Sequence, residues 1–95
     1  MKTIYKYDLE ITDKQEIETF ECCKILAVKE QDGILRLWAL VSTDMPKQKI
    51  TVEIFGTGNQ IPQEHDIVDL RLQFIDSVVM KPFVWHVFVT KGKLI

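Results

Sequence analysis

One run near the end of the chain, Phe83-Val84-Trp85-His86-Val87-Phe88-Val89, limits the folds open to it more than any other segment. A strand with one face in water alternates apolar and polar residues. Here both alternating faces are apolar or aromatic, so the strand needs cover on each side. In a chain of 95 residues the second cover comes from another layer of the fold, another subunit or a ligand. Ile34 to Val41 repeats the pattern, with Leu35, Leu37, Ala39 and Val41 on one face and Ile34, Arg36, Trp38 and Leu40 on the other.

Period two runs through the remaining segments as well. Ile4 to Ile11 places Tyr5, Tyr7, Leu9 and Ile11 on one face, and Thr12-Asp13-Lys14 reads as a turn. Gln15 to Phe20 alternates weakly, as an edge strand does; a helical turn capped by Asp13, with Glu16 at the capping-box position, is the rival reading. Lys24 to Glu30 and Ile34 to Val41 flank Asp32-Gly33, a strong hairpin signal because a type I′ turn needs positive φ at both central positions. Lys49 to Phe55 directs Ile50, Val52 and Ile54 inward, and Lys49, Thr51 and Glu53 outward. Gly56-Thr57-Gly58-Asn59 ends that strand. Val68, Leu70, Leu72 and Phe74 share a face of the next, Ser77 to Pro82 connects it to the closing run, and residues 91–95 form a short flexible tail. The sum is an all-β fold: one small antiparallel β-sandwich or barrel of about six to seven strands, with at most one short helical turn, spanning residues 1–95.

The formal net charge is −2, and Lys and Asp/Glu are mixed along the chain. Nucleic-acid polymers usually leave a basic footprint on the sequence that binds them, so the composition argues against one. No apolar run reaches the roughly 18 residues of a spanning helix, and charge soon interrupts the opening residues, unlike a signal peptide. No membrane partner is expected. Cys22 and Cys23 are adjacent, which disfavours a mutual disulfide and predicts two reduced thiols, at least one of them buried.

Two strands with apolar outer faces predict an exposed patch, with Trp38, Leu40, Val84 and Phe88 as its members. At ~1.5–3 kcal/mol for each buried side chain, a homo-oligomer is the simplest cover, and a two-fold dimer its commonest form. Cover within the monomer by the N-terminal strand or a loop is the alternative.

Signals for chemistry are sparse. Gly56-Thr57-Gly58 after a strand resembles an anion-binding nest, but no helix start follows it as phosphate loops require. His65 lies in a polar loop, and no ligand spacing supports a metal site built from His65, Asp66, His86 and a cysteine. Cys22 or Cys23 with His86 is the one candidate nucleophile–base set, and neither cysteine has an oxyanion loop beside it. No cofactor is implied. The candidate ligand- or partner-binding residues are therefore Trp38, Phe55, Gly56, Thr57, Gly58, Asn59, Trp85, His86 and Phe88.

Taken in order, Met1-Lys2-Thr3-Ile4-Tyr5-Lys6-Tyr7, Leu37-Trp38-Ala39-Leu40-Val41, Ile54-Phe55-Gly56-Thr57-Gly58 and Val84-Trp85-His86-Val87-Phe88 resemble a family of short proteins of tailed bacteriophages and prophages. The resemblance runs nearly end to end and departs at Phe20 to Cys23 and around Ile75 to Pro82. It implies a phage origin and a stand-alone domain, and it supplies no catalytic residues. The expected function is that of a non-enzymatic accessory protein in the cytoplasm of the infected bacterial host. It would bind a host protein or a small signalling nucleotide, a small anionic ligand, to counter host defence. A virion or assembly component joined through the apolar faces is the alternative, and a small enzyme using Cys22 or Cys23 with His86 the third reading.

Overall fold

Alternating β-branched and aromatic residues form strands because one face of each can bury its side chains while the other stays solvated. A computed structural model describes residues 1–61 and 72–90. Within them run β1 (Lys2–Leu9), β2 (Lys14–Phe20), β3 (Lys24–Gln31), β4 (Ile34–Ser42), β5 (Lys47–Gly56), β6 (Leu72–Met80) and β7 (Phe83–Thr90). They pair antiparallel into a three-stranded sheet A, order β1-β4-β3, and a four-stranded sheet B, order β2-β5-β7-β6. The expected all-β sandwich is what the chain forms. The Asp13–Phe20 segment is an edge strand, and its helical reading is discarded. The strand pairs in unbroken register with β5 along its whole length, whereas a helix would bury only Ile17 and Phe20.

The core lies between the sheets. Leu35, Leu37, Ala39 and Val41 of β4 meet Ile50, Val52 and Ile54 of β5 and Val87 and Val89 of β7, all buried. Each large aliphatic in that layer contributes ~1.5–3 kcal/mol. The β3–β4 hairpin turns on Asp32 (φ 55°) and Gly33 (φ 80°), the backbone a type I′ turn demands. The Gly33 amide donates to Glu30 Oε2 at 2.6 Å.

The Gln15 side chain fastens the turn between β1 and β2, and backbone bonds carry the β2–β5 ladder one step past each of its ends. Gln15 donates through Nε2 to the Glu10 carbonyl at 2.7 Å and accepts from the Glu10 amide at 3.1 Å. The Ile54 amide donates to the Asp13 carbonyl at 3.2 Å, and the Glu21 amide to the Pro46 carbonyl at 2.8 Å. Side chains join the sheets at the same corner. Tyr7 Oη on β1 donates to Thr19 Oγ1 on β2 at 2.9 Å, beside the buried Cys23 thiol. Burial raises the pKa of both the Tyr7 phenol and the Cys23 thiol above their ordinary values, so both stay neutral to higher pH.

One segment differs from its sequence reading. Ser77 to Met80 belongs to β6 rather than to a connection, and only Lys81-Pro82, joined by a cis peptide, turns the chain into β7. The reason is a β-bulge at Ile75, which breaks period two in mid-strand and so hid the second half. Residues 68–71 and His65 and Asp66 lie outside the described residues, as does the tail at 91–95.

Candidate functional site

Antiparallel pairing sets residues directly opposite one another on the same face. In sheet B, β5 sets Phe55 opposite His86 and Glu53 opposite Phe88. On the other side of β7, β6 sets Ser77 opposite His86, Phe74 opposite Phe88 and Val79 opposite Val84. All of these point away from the core, because Val87 and Val89 between them point inward. The result is one continuous surface on the β5–β7–β6 half of sheet B. Three aromatic rings descend in burial across it: Phe55 is 6% exposed, Phe88 is half-buried, and Phe74 is 52% exposed. They meet edge-on in sequence, Phe55 to Phe88 at 5.9 Å and Phe88 to Phe74 at 5.4 Å between centroids. Such T-shaped pairs are favoured by the ring quadrupoles.

Beside the rings His86 is held from both sides. Thr57 Oγ1 lies 2.7 Å from Nε2 and Ser77 Oγ 2.7 Å from Nδ1. A neutral imidazole carries one donor and one acceptor nitrogen, so one hydroxyl donates to the ring and the other accepts from it. The orientation of the ring is thereby fixed. Among the described residues no carboxylate takes the orienting place that a nucleophile–base–acid relay requires. The arrangement supplies a rigid polar spot next to an aromatic surface.

The Gly56–Asn59 loop reaches this spot by a tight turn. The Asn59 amide donates to the Gly56 carbonyl at 3.0 Å, and the Thr57 amide to the Val84 carbonyl at 3.2 Å. Gly58, at φ +85°, occupies the third position, where a type II turn needs glycine. With the Thr57 and Asn59 amides so engaged, the loop does not offer the run of free N–H groups that an anion nest needs. Gly56 itself packs closely: a Cβ there would lie 3.1 Å from the Trp85 ring and 2.9 Å from Asn59 Nδ2.

The nine candidate residues thus fall on three surfaces. Phe55, Thr57, His86 and Phe88 come together on the outer face of sheet B, with Gly56, Gly58 and Asn59 forming the turn at its end. Trp85 points the other way, packs on the core and stacks on Phe83 at 5.2 Å. Trp38 lies opposite Lys6 and Ala27 on the outer face of sheet A. Trp38, Leu40, Val84 and Phe88 do occupy outer faces, but each is half-buried rather than open. Phe74 and Ser77 complete the sheet B surface; neither is among the candidate residues, since the sequence reads Phe74 as a strand-face residue and Ser77 as the start of a connection.

The thiols and the imidazole do not meet. Cys23 is buried at the Tyr7–Thr19 corner. Cys22 is exposed at φ 60° and lines a small opening with Lys2, Lys24, Leu40 and Ser42, on the face of the sandwich opposite His86. Among the described residues no group of three or more His, Cys, Asp or Glu is placed to hold a metal ion. Nor is any helix long and apolar enough to cross a membrane.

Fold and surface together define a small antiparallel β-sandwich with an aromatic outer face around a hydroxyl-clasped histidine. The chain matches, over residues 1–94, the family described as Domain of unknown function (DUF7352), and belongs to it. No curated protein and no solved structure matches the chain.

Proposed function

We propose that this chain is a non-catalytic binding module that acts as a two-fold dimer joined through the Phe74–Phe88 face of sheet B. The observation that carries this reading is the exposure of Phe74 (52%) and Val79 (61%) beside half-buried Val84 and Phe88. These apolar side chains flank the polar Ser77–His86 pair; apolar surface exposed in this way marks interaction sites on small proteins, and a two-fold axis pairs the same patch on each copy. The resemblance to bacteriophage proteins supports the setting: an accessory factor in the cytoplasm of an infected bacterium that engages a host protein to counter defence.

A protein partner is favoured over a small signalling nucleotide by charge. Around His86 the described strand residues carry one carboxylate, Glu53, and no lysine or arginine. Lys14 and Lys49 stand on the β2–β5 half, opposite Glu53 and Glu18. Lys47 and Lys49 line an open pocket of about 350 Å³ there, with Glu21 in the same lining and Glu18 3.8 Å from the Lys47 amine. A phosphate thus meets carboxylates at each of these places.

The test is a pair of variants assayed for the effect on infection. His86→Gln keeps a donor and an acceptor for Thr57 and Ser77 and removes proton transfer, so a binding module retains its effect and an enzyme loses it. Phe74→Glu places a charge in the apolar patch and is expected to abolish the effect. Finding the protein as a stoichiometric part of purified particles would instead establish the virion reading.

A further inference from the structure

Charge that is mixed along the sequence is segregated in space. On the outer face of sheet A, β1 presents Lys2, Ile4, Lys6 and Asp8 opposite Ser42, Leu40, Trp38 and Arg36 of β4. β3 presents Lys24, Ala27 and Lys29 opposite Leu40, Trp38 and Arg36, with Leu26 exposed at the bulge beside Ala27. Among the described residues five of the nine cations but one of the eleven carboxylates stand here, so the face carries +4 and the other described residues carry −6. The lone carboxylate, Asp8, binds Arg36 Nε at 3.0 Å. The four lysines stand on the flanking strands, and the central strand holds Ile34, Trp38 and Leu40. Ile4 is 57% and Leu26 45% exposed.

We propose that this face docks a different protein through an acidic surface with an apolar centre. An apolar middle containing tryptophan inside a charged rim is the usual anatomy of a protein interface, and the +4 rim selects carboxylates opposite it. Aromatic content, charge and burial each disfavour another occupant. A single-stranded nucleic acid needs successive aromatic planes, and among the described residues Trp38 is the one aromatic ring on this face. A second copy docked by a two-fold axis sets +4 against +4. Insertion into lipid needs apolar side chains projecting past the charged ones, whereas Trp38 and Leu40 are half-buried at the centre.

The inference names the partner's chemistry within the binding role above and rests on it, while using the opposite face. In the test, Ile4 is replaced by photoreactive benzoyl-phenylalanine in the full chain expressed in bacteria, and the adduct is identified by mass spectrometry. The captured protein is then purified and titrated against the unmodified chain and the Lys6→Glu/Lys24→Glu double variant. Expected are an adduct to one other protein and a Kd that rises roughly tenfold or more in the variant and with salt from about 50 to about 500 mM. The variant should keep the oligomeric state set by sheet B, which separates failure of this proposal from failure of the dimer. A nuclease-sensitive adduct, a lipid adduct, an adduct to a second copy alone, no adduct, or unchanged affinity in the variant would each overturn it.

Discussion

Replacing Thr19 by Val tests what joins the two sheets at their corner. Thr19 is 2% exposed and accepts from Tyr7 Oη at 2.9 Å. Valine nearly keeps the shape and strips that bond. Leaving a buried partner unsatisfied costs ~1–3 kcal/mol; Tyr7 is half-buried and regains some water, which places the loss near ~1.5 kcal/mol. For a domain of this size that is a fall in Tm of roughly 6–12 °C. Tyr7→Phe removes only the donor and should cost about 1 kcal/mol. In the double variant neither group seeks the other, so the losses should fall short of additivity by about 1 kcal/mol. Urea unfolding followed by Trp38 and Trp85 fluorescence measures all three. Strictly additive losses would refute the reasoning, since they would mean that the Tyr7–Thr19 bond contributes no coupling between the sheets.

Three further outcomes follow from the same geometry. Stability should be level through neutral pH and fall as pH rises past about 9, because the unfolded Cys23 thiol ionises at its ordinary 9.0 and the folded one later. Tyr7 extends the fall past its ordinary 10.0, and Tyr7→Phe should remove that upper part in a pH series of urea midpoints. Gly58→Ala, forced to hold φ +85°, should cost ~1–2 kcal/mol by thermal denaturation and loosen the Thr57 hydroxyl from His86, seen as a changed imidazole NMR shift. Leu37→Ala, fully buried between the sheets, should cost ~2–5 kcal/mol, a large part of the stability of a domain this small.

Much of the architecture is legible in the sequence because period two is the direct imprint of a two-faced strand. The inward set Leu35, Leu37, Ala39 and Val41 and the Asp32-Gly33 turn are both found as read. The bulge at Ile75 is what period two cannot reveal, since it shifts every later residue of β6 to the other face. That shift hid Ser77 and with it half of the clasp on His86. The three-way division of the candidate residues was hidden for a different reason. Period two already sets Trp85 and His86 on opposite faces, but only strand order puts Trp38 and His86 on the outer faces of different sheets. The cationic face was equally invisible, for Lys2, Lys6, Lys24 and Lys29 are interleaved with carboxylates in sequence and gathered only by the pairing of β1 and β3 with β4.

Sedimentation equilibrium of the wild-type chain and of Phe74→Glu over a micromolar concentration series bears most directly on the dimer. A wild-type dimer that the single charge converts to a folded monomer is the expected result. A wild-type chain that stays monomeric throughout the series, or a Phe74→Glu chain that dimerises as tightly, would contradict the account.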